Sequence, residues 1–290
     1  MPSVLLASCA PALGRDEDEP LLLAALADAG VTAAVADWAD ASVDWAAADA
    51  VVVRSTWDYA PRRDEFLAWA RKVEAATRLF NPAAVLAWNT DKRYLAELAA
   101  AGVPVVPTAW AQTEDELDAA LAGWEDVVVK PTVSAGARDT ARFRPGERAA
   151  ARALGARILA SGRAVMAQPY LARLDADGET GLVHVDGAFS HAFRKGALLS
   201  GAALGPGLFA EEEIEPRVAT AAQRAIGDAV LAAVADRTGG APLYARVDLV
   251  PDADGEDAVL ELELTEPSLF LTADPRAAAR VAAAIAARLH

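Results

Sequence analysis

The chain has 290 residues, 54% hydrophobic and 24% charged, with 27 basic against 42 acidic residues and a net charge of -15. That length suits two or three connected lobes with a sizeable core, and the even spread of apolar residues excludes bulk disorder. The acidic balance excludes nucleic acid and anionic membranes as expected partners, and a single cysteine, Cys9, excludes an internal disulfide.

The start lacks a basic region and is followed by the acidic run Asp16 to Glu19, so no signal peptide is expected. Apolar runs such as Leu21 to Ala27 are too short to span a membrane. With the lone cysteine, these features predict a cytoplasmic protein.

The first third alternates. Ser3 to Ser8 is predicted as a buried strand and Pro20 to Ala29 as a helix ending at Gly30. Val31 to Asp37 and Asp49 to Val53 are predicted strands, and Arg62 to Ala76 an amphipathic helix. Strands and helices taking turns with short connections imply a parallel sheet with helices on its faces. Asp16 to Glu19 precede a helix, where carboxylates suit the positive end of the macrodipole, and they are assigned no chemistry.

Phe80-Asn81-Pro82 reads as a boundary, giving expected lobes of 1–88, 89–175 and 176–290. Asn89-Thr90-Asp91 is expected to open a helix capped by Thr90 or Asp91 and ending at Gly102, with Lys92 one turn in. Further helices are expected at Glu114 to Ala122 and Pro145 to Ala160, with strands at Asp126 to Lys130, Asp139 to Phe143 and Ala164 to Gln168. From Gly181 the pattern is mostly strands: Leu182 to Asp186, Phe189 to Lys195, Leu243 to Val250 and Ala258 to Thr265. Helices at Pro216 to Asp236 and Asp274 to Leu289 flank them. The fold class is therefore α/β, with α+β character in the C-terminal part. Gly196 to Glu213, with Gly201, Gly205, Pro206 and Gly207, has the composition of a mobile loop.

The most informative segment is the hairpin from Leu243 to Thr265. Alternation puts Ala245, Val247 and Leu249 on one face and Arg246 and Asp248 on the other. On the second strand Leu260, Leu262 and Leu264 share the apolar face, opposite Glu261 and Glu263. A two-residue turn at Asp254-Gly255 pairs Asp248 with Glu261 and Arg246 with Glu263. A solvated face with a cross-strand Arg–Glu pair is the plain alternative. Two carboxylates directly opposite repel unless a cation lies between them, which favours an oxygen-ligand magnesium site.

Val127 to Pro131 ends a buried strand on Lys130, and the small-residue loop Ser134 to Arg138 follows, with backbone N–H groups suited to phosphate. Phe193-Arg194-Lys195 is another basic strand end. Neither a P-loop nor a dinucleotide fingerprint is present.

In this order Lys92, Val129-Lys130-Pro131, the small-residue loop, Gln168-Pro169-Tyr170-Leu171, Gly178-Glu179, Lys195, Arg246-x-Asp248 and Glu261-x-Glu263 resemble ATP-grasp ligases. The set is similar to that of D-alanine–D-alanine ligases, glutathione synthetases and ribosomal-protein glutamate ligases. Arg54 to Tyr59, Trp88 to Lys92 and Glu266 to Phe270 resemble a narrower subgroup related to the cyclo-ligase of cycloserine biosynthesis.

The resemblance implies the ATP-grasp fold, with an open parallel lobe before two lobes that sandwich ATP, and cofactors ATP and Mg2+, with two ions expected. By position, Lys92 and Lys130 would hold phosphates under a closing loop that includes Ser134, Gly136 and Arg138. Gln168, Tyr170 and Leu171 would form the adenine hinge, Glu179 would hold the ribose, and Lys195 would reach the phosphates. Asp248, Glu261 and Glu263 would bind metal, and Arg246 would stabilise the acyl phosphate and the tetrahedral intermediate. Many of these ligases carry Asn where Glu263 stands, so Glu266 is a candidate to replace or supplement Glu261. The implied reaction is a C–N ligation of a small carboxylate by way of an acyl phosphate. A phosphotransferase and a silent nucleotide-binding protein are the alternatives.

The acid is expected beyond the strand Ala50 to Val53, where ligands meet open parallel sheets. Arg54, Ser55, Trp57 and Asp58 there suit a zwitterionic amino-acid-like substrate, against the alternative of a packed loop with Asp58 capping. His191, between Phe189 and Phe193 on one strand face, reads as a packed histidine, and neither it nor His184 has zinc spacing. Small-molecule substrates are the expected partners, with a homodimer left open.

Overall fold

The computed structural model describes residues 1–196 and 213–290. Most of the expected mobile loop, 197–212, lies outside the described residues.

Strands β1 (Ser3–Ser8), β2 (Thr32–Asp37), β3 (Ala50–Val53) and β4 (Arg78–Phe80) form a parallel sheet in the order β2-β1-β3-β4. The continuous apolar run of β3 follows from burial on both faces. Val52 packs toward α1 (Asp18–Asp28), while Val51 and Val53 pack toward α2 (Arg63–Ala76). Phe66, Ala70 and Val73 give α2 the buried stripe that helical spacing demands.

The helix expected from Asn89 is replaced by two, α3 (Ala83–Asn89) and α4 (Tyr94–Ala100). Lys92 lies in the turn between them, its backbone N–H on the Thr132 carbonyl at 2.8 Å. Asn89 does not cap. Its carboxamide donates to Leu262 O at 2.8 Å and accepts from Leu264 N at 2.7 Å. Asn81 does the same one step along, donating to Leu264 O at 2.7 Å and accepting from Leu243 N at 2.8 Å. Two side-chain amides thus serve backbone groups that would otherwise be buried without partners.

Next come β5 (Ala109–Ala111), α5 (Glu114–Leu121), β6 (Val127–Pro131), β7 (Ala141–Phe143), α6 (Arg148–Ala160) and β8 (Val165–Pro169). The strands form an antiparallel sheet in the order β5-β8-β6-β7, and Leu117, Leu154 and Ile158 seal the helices onto it. The short α7 (Leu174–Asp177) leads into β9 (Glu179–Val185) and β10 (Ala188–Lys195). Then follow β11 (Ile214–Arg217), α8 (Ala221–Thr238), β12 (Tyr244–Pro251), β13 (Asp257–Glu263) and α9 (Ala277–Leu289). This third sheet is antiparallel, ordered β11-β10-β9-β12-β13. Among the described residues no helix is long and apolar enough to cross a membrane.

Three local expectations change. Pro216 belongs to β11, where it pairs with Phe193, and not to a helix. The helix starts after a capping box in which Thr220 and Gln223 satisfy each other's backbone N–H groups. A bulge between Phe189 and His191 sends Phe189 to the α8 side and leaves His191 with Phe193. In the hairpin, Arg246 pairs with Glu263 and Asp248 with Glu261 as expected, but Leu249 pairs with Val259. The turn is wider than two residues, with Asp252 N on Glu256 O, and a bulge after Asp248 restores the register. Val259 therefore takes the core position expected of Leu260, and Leu260 faces the cavity described next.

Candidate active site

A cavity of about 570 Å³ opens where the three sheets meet. Its apolar walls come from strand residues such as Val128, Val250 and Leu260, flanking the chain from Gln168 to Leu171 at the end of β8. Gln168 is fixed by its bond to Thr108 (2.9 Å), and Tyr170 N–H donates to Asp126 O (2.9 Å). The Tyr170 hydroxyl donates to Asp175, and the Arg142 guanidinium lies 3.3 Å from the ring centroid. Burial and that carboxylate push the phenol up to about 12.

Beyond this segment stand the lysines. Lys195 at the end of β10 pairs with Glu179 at the start of β9, 3.2 Å away. Gly178, in the left-handed region at φ 70, makes this approach possible, because a Cβ there would lie 2.6 Å from Lys195 O. Lys92 reaches Glu261 at 3.0 Å and donates to Ser134 O at 2.9 Å. Burial alone would push its ammonium down, but Glu261, Glu263 and Glu266 hold it above its ordinary value. Lys130, equally buried, is pushed down by desolvation, against the pull of Glu261 and with Lys92 and Lys195 nearby. Ser134, Ala135, Gly136 and Ala137 line the cavity above them; Arg138 does not.

Across from the lysines lies the hairpin face. The Arg246 guanidinium grips Asp248 at 2.9 Å through both Nε and Nη2, bonds Glu263, and donates through Nη1 to Ser268 O at 3.0 Å. The like-charged pair Asp248 and Glu261 is thus met by cations of the chain itself, Arg246 on Asp248 and Lys92 on Glu261. Burial would raise the Glu261 carboxyl, yet Lys92 and Lys130 hold it well below the usual range. Glu263 is pushed up by burial despite Arg246, with Glu261 and Asp248 adding to the effect. Burial and Glu263 push Glu266 up to about 8. Among the described residues, no three His, Cys, Asp or Glu side chains form a ready metal cluster. The donor chemistry nevertheless fits magnesium: Glu261, Glu263 and Glu266 bring carboxylate oxygens to the wall, and the crowded charge of Glu263 and Glu266 is what a hard cation relieves.

At the far end the four residues expected to meet the acid separate. Trp57 lines the cavity and donates from Nε1 to Glu266 O at 3.0 Å. Arg54 is buried behind the wall, 5.5 Å from the Tyr244 ring and 3.6 Å from Asp18, with Nη1 lacking a hydrogen-bond partner among the described residues. Ser55 hydroxyl meets Ser8 hydroxyl at 2.9 Å. Asp58 accepts from Trp38 Nε1 at 2.8 Å and pairs with Arg62 at 2.5 Å, outside the lining. The lining instead includes Arg15, Asp16, Glu17 and Asp18, to which the sequence reading assigned no chemistry. The burial of Asp16 and Asp18 could not be seen in a run that also suits a helix start. His191 is a satisfied packed residue: Nε2 meets Leu269 O at 2.8 Å and Nδ1 meets the Ser190 hydroxyl at 3.0 Å.

A family profile described as D-cycloserine synthetase DcsG, N-terminal domain, matches residues 4–81. The cycloserine biosynthesis protein DcsG of Streptomyces lavendulae is 44% identical over 296 residues, 98% of this chain and 98% of that one. A crystal structure of D-cycloserine synthetase DcsG is similar at a TM-score of 0.91 and 40% identity, covering 99% of this chain and 100% of the other. The ATP-grasp ligase PsnB, complexed with minimal precursor, Mg and ADP, shares the fold at a TM-score of 0.65 and 21% identity, over 99% and 97% of the two chains.

Proposed function

The chain belongs to the D-cycloserine synthetase family of ATP-grasp ligases, and from that premise we propose that it converts the carboxylate of a small amino-acid-like acid into an acyl phosphate and closes a C–N bond by attack of a nitrogen of the same molecule. The γ-phosphoryl of ATP goes to the carboxylate, ADP leaves, the nitrogen adds to the activated carbonyl, and phosphate departs. One observation carries this reading. The buried lysines and the Arg246 carboxylate patch face each other across one cavity whose far end is lined by polar loop residues.

In this reading Gln168 to Leu171 hold the adenine, Glu179 the ribose, and Lys92, Lys130 and Lys195 the phosphates. The loop from Ser134 to Arg138 covers them and keeps water from the acyl phosphate. Asp248, Glu261 and Glu263, with Glu266 as a further oxygen donor, are the residues that would hold Mg2+; the ion supplies charge neutralisation on the transferring phosphoryl. Arg246, pre-organised by Asp248, Glu263 and the Ser268 carbonyl among its partners, stabilises the oxyanion that builds when nitrogen attacks. A small acid is favoured over a peptide by the relatives named for cycloserine.

The test is ADP release with ATP and magnesium across amino acids and small carboxylates, including a serine derivative carrying a ureido group, beside Asp248→Ala. Release that needs one acid and vanishes in the variant supports the ligase reading and names the acid. A phosphorylated acid that accumulates instead marks a phosphotransferase. Absence of magnesium-dependent ATP binding removes the reading.

A further inference from the structure

Asp18 opens α1 and is almost fully buried, yet it makes no helix-capping bond. Its carboxylate reaches across the fold to three consecutive backbone amides. Oδ2 accepts from Leu269 N at 2.7 Å and Phe270 N at 3.0 Å, and Oδ1 accepts from Leu271 N at 2.7 Å. Phe270 stands in the left-handed region at φ 47, which turns successive N–H groups toward one point, the concave arrangement that suits an anion. A non-glycine residue in that region persists only where its surroundings over-determine it. Asp18 supplies the charge that the concavity needs, with Arg54 3.6 Å away on its other side.

The segment held in this way, 266–271, carries much of the far half of the cavity. Its Ser268 carbonyl accepts from Arg246 Nη1, its Glu266 carbonyl accepts from Trp57, and its Leu269 carbonyl meets His191. Glu266, Ser268 and Phe270 all line the cavity. We propose that Asp18 is a positioning residue. By seating the amides of 269–271 it sets the height of this segment against β12, and with it the placement of Arg246 and Glu266 toward the acid. The inference rests on the ligase reading above and deepens it by assigning a role to a residue 251 positions away in sequence from the amides it holds.

The experiment uses the full chain carrying Asp18→Ala and, as the milder change, Asp18→Asn, with sodium formate as a small carboxylate probe. Asp18 lines the cavity, so formate has a path to the vacated nest. A misplacement of about 1 Å at a reacting centre costs about 100-fold in rate, so kcat for acid-dependent ADP release should fall by about that factor in Asp18→Ala while the KM for ATP stays unchanged. Formate should restore part of the loss in Asp18→Ala, do nothing for the wild type, and give no ADP release without the acid. Asp18→Asn, which keeps one acceptor oxygen, should fall between. An unchanged kcat in either folded variant overturns the proposal. So does a loss in which kcat, the KM for ATP and Tm move together without formate rescue, since that marks a plain structural staple. A wild type that binds ATP but releases no ADP with any acid removes the ligase reading, and the Asp18 role with it.

Discussion

At the lysine–carboxylate end of the cavity nearly every charged group sits on a strand: Lys130 on β6, Glu179 on β9, Lys195 on β10, Arg246 and Asp248 on β12, Glu261 and Glu263 on β13. At the far end, the proposed acid site, the groups come from loops and helix starts around 15–18, 57 and 266–272, brought together from segments up to about 250 residues apart. Strands place side chains by a rigid two-residue alternation, so their chemistry is held by the ladder itself. Loops place theirs only through contacts made by other side chains, as Asp18, Trp57 and Asn81 do here. The first end should therefore respond to substitution of the charged group, and the second equally to substitution of whatever holds the loop.

The largest effect should come from Arg246→Ala, which removes the proposed oxyanion donor and strands Asp248 and Glu263. Acid-dependent ADP release should fall by about 10²–10³ in kcat, and a loss below tenfold would break the assignment. Next, Lys130→Ala should weaken ATP by about 1.5–3 kcal/mol, the range for a bond to a charged group, read as KM for ATP with the acid saturating.

The carboxylates give a pH test. Glu266 is held up to about 8 in the folded chain against an ordinary 4.5, so the folded state binds more protons than the unfolded state between those values. Its contribution to stability is present below pH 4.5 and is lost as pH rises through about 8. Urea denaturation of the nucleotide-free protein should lose up to about 1.4 kcal/mol per pH unit across that window, and Glu266→Gln should flatten the slope. A stability that climbs with pH would contradict it.

Smaller effects separate the two ends. Trp57→Phe keeps the ring and removes the bond to Glu266 O, costing about 1 kcal/mol and raising the KM for the acid with no change for ATP. Asp58→Asn, which disturbs a half-open pair with Arg62, should change either KM by less than about 1 kcal/mol. If Asp58→Asn outweighs Trp57→Phe, the acid lies nearer the first sheet than the cavity lining indicates.

Sequence alone determined the alternation of the first sheet, because a strand buried on both faces must be apolar along its length, as β3 is. It also determined which carboxylates face which partners on β12 and β13, since period-2 alternation and a hairpin leave few registers. That pairing survived a wrong turn because the wider loop and the bulge offset one another. Tertiary structure decided the rest. Asn89 looked like part of a helix start and became a backbone surrogate for β13, and Asp18 looked like a dipole partner and became the anchor of 269–271. Asp58 looked like a ligand and took Trp38 and Arg62. Asn89 and Asp18 each have a short-range use that local sequence suggests and a long-range backbone partner that would be costly to bury unpaired. The buried partner prevailed because an unmet polar group inside the protein costs more than a cap contributes.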